Sequence, residues 1–259
     1  MNPSTQGLAL LRLGAREWWR TRSAALLLLV VVGVFALANF LAGLAVTEID
    51  AQRITLHAGL ARPVVALLFA LAIVVALVRE LDDGVLDTLL ARPLSRRTWY
   101  LSRLCTQLCA AFVLAAATAL PLLVLVPPPA LAAWTLSFAC ELAILAALAL
   151  ACALSLGRVA PAMGAVGGFY LLSRAIAALV LMVQGPANDP AQLGDRLVAH
   201  GVQALALVLP DFSRYAQTVW LLGAGEPLAA DLVYALVQGA IYVALLAALG
   251  VLDFERRDA

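Results

Sequence analysis

Residues 79–97 read RELDDGVLDTLLARPLSRR, and long apolar runs flank this charged segment on both sides. The chain of 259 residues is 64% hydrophobic and only 13% charged, with a mean hydropathy of +0.98. A soluble domain has about a quarter charged residues. The composition therefore indicates an integral membrane protein in which the charged segment leaves the bilayer on one aqueous face.

Six apolar segments are long enough to cross a hydrocarbon core as helices, which takes roughly 20 residues. They lack the period-two alternation of barrel strands, so the sequence predicts an all-α membrane protein. The predicted spans are residues 24–46, 60–78, 104–126, 131–156, 159–183 and 231–252. The chain, 1–259, is predicted to form a single transmembrane domain.

A basic amphipathic segment, residues 7–22, precedes the first span. Its arginines recur at four-residue spacing beside a face that carries two indoles; these residues are Arg12, Arg16, Trp18, Trp19 and Arg20. The pattern favours a helix in the interface plane, with the indoles at headgroup depth and the arginines toward anionic membrane lipid. The alternative is a basic flank that only sets the topology.

The segment 184–230, before the last span, contains the apolar stretch 197–210, which is too short to cross a bilayer comfortably. Asp211 or Ser213 is placed to cap a second short helix that reaches Leu221. The sequence therefore predicts short helices within 197–222 that dip into the outer leaflet and return. A seventh span is the alternative.

The distribution of arginines predicts the orientation, because cytoplasmic loops carry an excess of basic residues. With the N-terminus inside, the outer side carries Arg53, Arg62, Arg196 and Arg214, and most other arginines lie inside. Both termini and the charged segment are then cytoplasmic. Arginines scattered along span borders do not form a nucleic-acid-binding surface.

The charged segment has the pattern of a helix–turn–helix within residues 79–103. Leucines and a valine repeat at helical spacing, with aspartates on the other side. Gly84 offers a bend, Pro93 ends the first helix, and Ser95 is a natural N-cap for a helix that continues into the third span. An ordinary solvated loop is the alternative, but it requires neither the helical register nor the Pro-Leu-Ser break.

At this point the chain resembles a family. The pattern Glu80…Gly84-Val85-Leu86…Leu89-Leu90-Ala91-Arg92-Pro93-Leu94-Ser95-Arg96…Tyr100-Leu101…Arg103 is similar to the segment after the second span of type-2 ABC transporter permeases. That family typically has Thr at position 85 and Lys at position 103. By this resemblance, the residues that contact the ATPase are Glu80, Asp83, Gly84, Leu86, Leu89, Leu90, Arg92, Pro93, Ser95 and Arg96.

The resemblance implies a permease subunit of the bacterial inner membrane that lacks its own motor. The sequence has no GxxxxGK[ST] phosphate loop, so ATP and Mg would be bound by a separate cytoplasmic ABC ATPase dimer. Two copies of the permease would pair, and the charged segment would be the coupling helix. The compact size resembles the permease of the nitrous-oxide-reductase maturation system, which works with a periplasmic protein. Export and mechanical work on such a partner both stay open.

Two charged residues fall inside predicted spans, Glu141 in the fourth and Arg174 in the fifth. Their similar depth on adjacent antiparallel helices predicts an ion pair, because an unpaired charge there is costly. A structural clamp and a substrate or gating role are both open. The four cysteines lie in apolar runs and are predicted to be buried, inert thiols that form neither disulfides nor a metal site.

Two other classes of function are alternatives to a permease. A membrane-embedded enzyme needs a convergent nucleophile, base or metal cluster, and the sequence offers no catalytic residue; its two histidines, His57 and His200, lie in separate predicted outer segments. A non-transporting anchor or sensor subunit would not need the helical register of the charged segment.

Overall fold

A computed structural model describes residues 14, 22–44, 48–84, 95–185, 193–215, 217–223 and 229–256. Within these ranges the chain forms helices and turns and no strand. The α-helices are α1 (Arg22–Ala42), α2 (Ile49–Asp82), α3 (Arg96–Ala119), α4 (Pro128–Leu156), α5 (Val159–Val183), α6 (Leu193–Val208), α7 (Phe212–Tyr215) and α8 (Ala229–Arg256). Two 3-10 helices cover Leu120–Leu122 and Thr218–Leu222.

Six of the described helices, α1 to α5 and α8, are long and apolar enough to cross a membrane. This confirms the predicted helical class and the number of candidate spans. The central helix is α4, which packs against α2, α3, α5 and α8. Its side chains are buried on several faces, including Leu142, Leu145 and Ala149, as expected for a helix that is apolar all round.

The second span is longer than predicted. α2 begins at Ile49 rather than near residue 60, and its 34 residues make a helix of about 51 Å, compared with a hydrocarbon core of roughly 30 Å. Polar residues in its first turns, such as Asp50 and Arg53, lower the hydropathy on which the prediction rested. Pro63 lies inside α2 without ending it, as membrane helices allow where neighbouring helices surround the freed carbonyl.

The third span begins and ends earlier than the predicted range 104–126. Ser95 precedes α3, and its hydroxyl accepts a hydrogen bond from the backbone N–H of Thr98 at 3.2 Å. This confirms the predicted N-cap, which supplies an acceptor to an otherwise unpaired N–H of the first turn. At its other end, α3 ends at Ala119, and the 3-10 helix Leu120–Leu122 follows directly.

Two glycines terminate helices in the left-handed region of backbone space. Gly84 follows α2 with φ of 64°, and Gly157 follows α4 with φ of 60°. Glycine adopts this conformation without the steric cost that a Cβ would add. The chain therefore leaves α4 between the predicted spans 131–156 and 159–183 and enters α5 two residues after Gly157.

The connection between α5 and α8 enters the bundle and turns back. α6 has only 16 residues. The hydroxyl of Tyr242, about halfway along α8, donates to the carbonyl of Val208 at 2.9 Å. The hydroxyl of Ser137 in α4 lies 2.9 Å from the carbonyl oxygen of Tyr215. The end of α6 and all of α7 thus lie beside the middle of the long helices.

The single helix predicted from Asp211 or Ser213 to Leu221 is split in two. The Asp211 carboxylate accepts a hydrogen bond from the Ser213 N–H at 3.0 Å, so Asp211 caps α7. That helix ends at Tyr215, and the 3-10 helix Thr218–Leu222 follows. The second predicted short helix is therefore one turn of α-helix followed by a separate 3-10 helix.

The predicted burial of the cysteines is wrong for two of the four. Cys105 and Cys109 are exposed on α3, whereas Cys140 and Cys152 are partly buried, and all four are free thiols. An apolar residue on a membrane helix can face either lipid or protein, and the sequence signal is the same in both cases.

Candidate functional site

The two ends of the charged segment are described, but its centre is not. Glu80 and Asp82 lie in the last turn of α2, Asp83 and Gly84 follow that helix, and Ser95 and Arg96 begin α3. The other predicted coupling residues lie outside the described residues: Leu86, Leu89, Leu90, Arg92 and Pro93.

The predicted interfacial helix is also outside the described residues, apart from Gly14 and Arg22. This applies to Arg12, Arg16, Trp18, Trp19 and Arg20. Gly14 is buried against α3: a Cβ at this position would lie 2.8 Å from Oγ1 of Thr106. Only a residue without a side chain fits so closely.

Polar contacts join four helices at the end of the bundle where the charged segment emerges. We call six of these residues the terminal clamp: Glu80, Arg97, Arg103, Ser155, Asp253 and Glu255. Arg103 of α3 pairs with Glu80 of α2. Arg97 binds Glu255 of α8 through Nε and Nη2, the latter 3.1 Å from Oε2.

The last turn of α8 makes further contacts with α3 and α4. Arg96 Nη1 donates to the carbonyl of Phe254 at 3.0 Å, and the Phe254 ring lies 5.6 Å from that of Trp99. The Ser155 hydroxyl donates to the carboxylate of Asp253 at 2.7 Å. The Arg97 side chain is 67% exposed, so solvent screens its ion pair and the pair orients helices more than it stabilises them.

A second polar site lies inside the bundle, around Glu141 of α4. We call it the buried cluster: Arg62, Ser137, Glu141, Tyr170 and Arg174. Glu141 is fully buried and its carboxylate accepts three hydrogen bonds. These come from Arg62 Nη1 at 3.0 Å, the Tyr170 hydroxyl at 2.9 Å and Arg174 Nη1 at 3.3 Å. The structure thus brings together the two residues that were predicted to pair, Glu141 and Arg174.

Arg62 was missed by the sequence analysis, which placed it on the outer surface. It is instead 1% exposed and closer to Glu141 than Arg174 is. Its Nη2 donates to the Ser137 hydroxyl at 2.8 Å and to the Trp134 carbonyl at 3.2 Å, and its Cζ lies 4.8 Å from the centroid of the Trp134 ring. A signal was available, because residue 62 falls inside the predicted span 60–78 and a charge there needs a partner.

His57 is a second residue that the sequence analysis placed in an outer segment. It lies fully buried on α2, with Nε2 2.9 Å from the carbonyl oxygen of Thr118 and its ring at a right angle to that of Phe35. The early start of α2 carries this residue into the bundle.

The buried cluster holds more hydrogen-bond donors and more positive charge than one carboxylate can satisfy. Arg62 Nε is buried without a partner in the part of the chain that is described. The same holds for three polar atoms on residues that contact the cluster or adjoin it in sequence: Trp134 Nε1, Tyr215 Oη and Ser173 Oγ. Two guanidinium groups share the single Glu141 carboxylate. A charged arginine near the centre of a bilayer costs about 3 kcal/mol or more, so this arrangement requires a reason beyond packing.

The comparisons with known proteins add no family to these observations. No protein-family model matches the chain, and no curated protein is significantly similar to it. The likeness to type-2 ABC permeases therefore rests on the residues of the charged segment and on the arrangement of the spans.

Proposed function

We propose that this chain is the membrane-spanning permease subunit of an ABC transporter. It couples ATP hydrolysis by a separate cytoplasmic ATPase dimer to export, or to mechanical work, across the bacterial inner membrane. The support comes from the motif pattern in residues 80–103 together with a helical bundle that has six candidate spans.

The observation that carries the proposal is the terminal clamp. The segment 85–94 leaves from α2 and returns into α3, and ion pairs tie these two helices to each other and to α8. The contact between Ser155 and Asp253 extends the connection to α4. A displacement of this segment by a bound partner would therefore move the four helices α2, α3, α4 and α8 together, as a coupling element requires.

The finer topology belongs to the same proposal. In this proposal the terminal clamp faces the cytoplasm and α6 and α7 lie in the outer leaflet; the predicted interfacial helix at 7–22 and the predicted cytoplasmic termini stay predictions. A second copy approaches α5 at Gly164 and Gly168. A Cβ added at either glycine would have no neighbouring described atom within 4 Å, so the surface there is open. Small residues at such positions let helices approach closely.

Co-purification tests the proposal directly. The first step is to determine whether an adjacent reading frame encodes an ATPase with a Walker A motif, and the chain is then expressed with that ATPase. We expect Leu89→Asp to reduce the recovered ATPase at least tenfold, because a carboxylate replaces an apolar anchor of the docking surface. Leu89→Met is the matched control, since it keeps the apolar volume and should retain the ATPase. Both variants should keep the parent's chromatographic profile.

Two results would contradict the proposal. One is full recovery of the ATPase with Leu89→Asp at unchanged expression. The other is cysteine labelling that places residues 82–97 on the periplasmic side.

A further inference from the structure

The charge balance of the buried cluster points to a ligand. In the interior of the six described candidate spans, Glu141 is the one acidic residue; the remaining carboxylates of those helices lie in terminal turns. Arg62 contacts Oε2 of Glu141, while Arg174 and Tyr170 both contact Oε1. One carboxylate thus serves two permanent cations.

Arg174 uses only part of its guanidinium group in contacts with the described residues. Its Nη1 contacts Glu141 and the Tyr170 hydroxyl, each at 3.3 Å. The other two nitrogens, Nε and Nη2, make no hydrogen bond to any described residue, yet they are not sealed in the interior as Arg62 Nε is. The Arg174 side chain is 28% exposed, whereas that of Arg62 is 1% exposed.

The unused edge has a defined geometry. Nε–H and Nη2–H of a guanidinium project in parallel and match two oxygens of a carboxylate or phosphate. The chain itself contains one example, since Arg97 binds both oxygens of Glu255 through these same two nitrogens. Arg174 offers the same fork without a described acceptor.

We infer that Arg174, held in place by Glu141 and Tyr170, forms a binding site for an oxyanion of the carboxylate or phosphate class. The site opens on the exposed side of α5, where Leu171 is 62% exposed. Arg174 lies nine residues before the end of α5, about 14 Å along the helix axis. The oxyanion is thus held well inside the apolar layer, and the inference stands whether or not the proposed function is correct.

Within the described candidate spans, a second copy of the chain offers no free carboxylate to Arg174. Its only interior carboxylate among the described candidate spans is its own Glu141, which is fully buried and already paired. Two copies that met along α5 would bring two excess cations to the contact, which repel at short distance. Bound oxyanions would remove this repulsion.

The shared chemistry has two sources, a soluble oxyanion and the headgroup of an anionic lipid. The first arm of the test uses delipidated protein in a neutral detergent at constant ionic strength. Acetate or inorganic phosphate replaces chloride, and tryptophan fluorescence gives the unfolding midpoint. We expect a saturable rise in the midpoint at millimolar concentration; phosphate's general stabilising effect on proteins is not saturable in that range. The second arm uses nanodiscs of neutral phosphatidylcholine with and without phosphatidylglycerol, with native mass spectrometry to count retained anionic lipid.

Three variants make the test specific. Arg174→Gln should raise the apparent dissociation constant at least tenfold. Arg97→Gln is the matched control, because its fork is filled by Glu255, and it should bind as the parent does. Arg174→Lys keeps the charge but loses the two parallel N–H donors, so it should lose the preference for oxyanions over chloride. This variant tests the site even if Arg174→Gln does not fold.

Each outcome decides the inference. A response to phosphate or acetate that depends on Arg174 supports it and identifies a soluble ligand, whereas an Arg174-dependent retention of phosphatidylglycerol alone supports it and identifies a headgroup. Equal responses of parent and Arg174 variants, or no response in either arm, would overturn it. Recovery of the ATPase is measured separately. A negative result for oxyanion binding therefore does not contradict the proposed function, and failure to recover the ATPase does not contradict the oxyanion site.

Discussion

Replacing Glu141 by glutamine tests the energetic role of the buried cluster. Glutamine keeps the shape of the side chain but removes its negative charge. Arg62, which is 1% exposed, would then be left with neutral acceptors alone: the amide oxygen of the new glutamine, the Ser137 hydroxyl and the Trp134 carbonyl. Breaking a buried ion pair by removing one partner destabilises a protein by about 3–5 kcal/mol. We expect Glu141→Gln to lower the free energy of unfolding by that amount.

The structure also ranks the two arginines. Arg174→Gln leaves Glu141 paired with Arg62 and removes a partly exposed group, so we expect a loss of about 1 kcal/mol. Arg62→Gln removes the closer and more buried partner and should cost about 3 kcal/mol. The double variant Arg62→Met/Glu141→Leu removes both halves of the pair and should recover at least half of the loss caused by Glu141→Gln.

Unfolding in mixed micelles with increasing dodecyl sulfate measures these differences. Tryptophan fluorescence is a suitable probe, because Trp134 lies 4.8 Å from Arg62 Cζ. The reasoning would be refuted if Glu141→Gln unfolded with the parent, if Arg174→Gln were the more damaging arginine variant, or if the double variant were less stable than Glu141→Gln.

Two further substitutions test packing and capping. Gly250→Ala places a methyl group against the fully buried ring of Tyr100 and should lower the free energy of unfolding by about 1–3 kcal/mol in the same assay. Gly33→Ala is the control, because nothing lies within 4 Å of the added Cβ, and it should be close to neutral. Equal effects of the two variants would disprove the close contact. Ser95→Ala removes the acceptor for the Thr98 N–H and should cost about 1 kcal/mol, whereas Ser95→Asp, which keeps a capping oxygen, should behave as the parent does; equal losses in both variants would argue against the cap.

Several structural features could be read directly from the residues. The six apolar stretches predicted six long helices, Ser95 predicted the start of α3, and the predicted span 131–156 ends where α4 ends, just before Gly157. These features depend on local chemistry. They are the transfer of apolar side chains from water into the membrane, the capping of a helix start by a side-chain oxygen, and the backbone conformations open to a residue without Cβ. The predicted pairing of Glu141 with Arg174 depended only on counting residues along two antiparallel helices.

Other features depend on which helix faces meet, and composition does not record this. The chain's apolar signal is the same for Leu104, which is buried, and for Cys105, which is exposed on the same helix. Likewise, the distribution of arginines placed Arg62 on the outer side, although α2 starts early enough to carry it beside Glu141. The terminal clamp joins residues more than 150 positions apart, such as Arg97 and Glu255.

The sequence by itself thus determined the all-α membrane fold class, the number of long helices and the position of the charged segment along the chain. Only the tertiary structure decided which arginine is the main partner of Glu141, and that Arg174 keeps an unused pair of donors. The physical reason is that transfer from water depends on each side chain alone, whereas charge compensation depends on distances between helices. Those distances are set by packing of the whole bundle around α4.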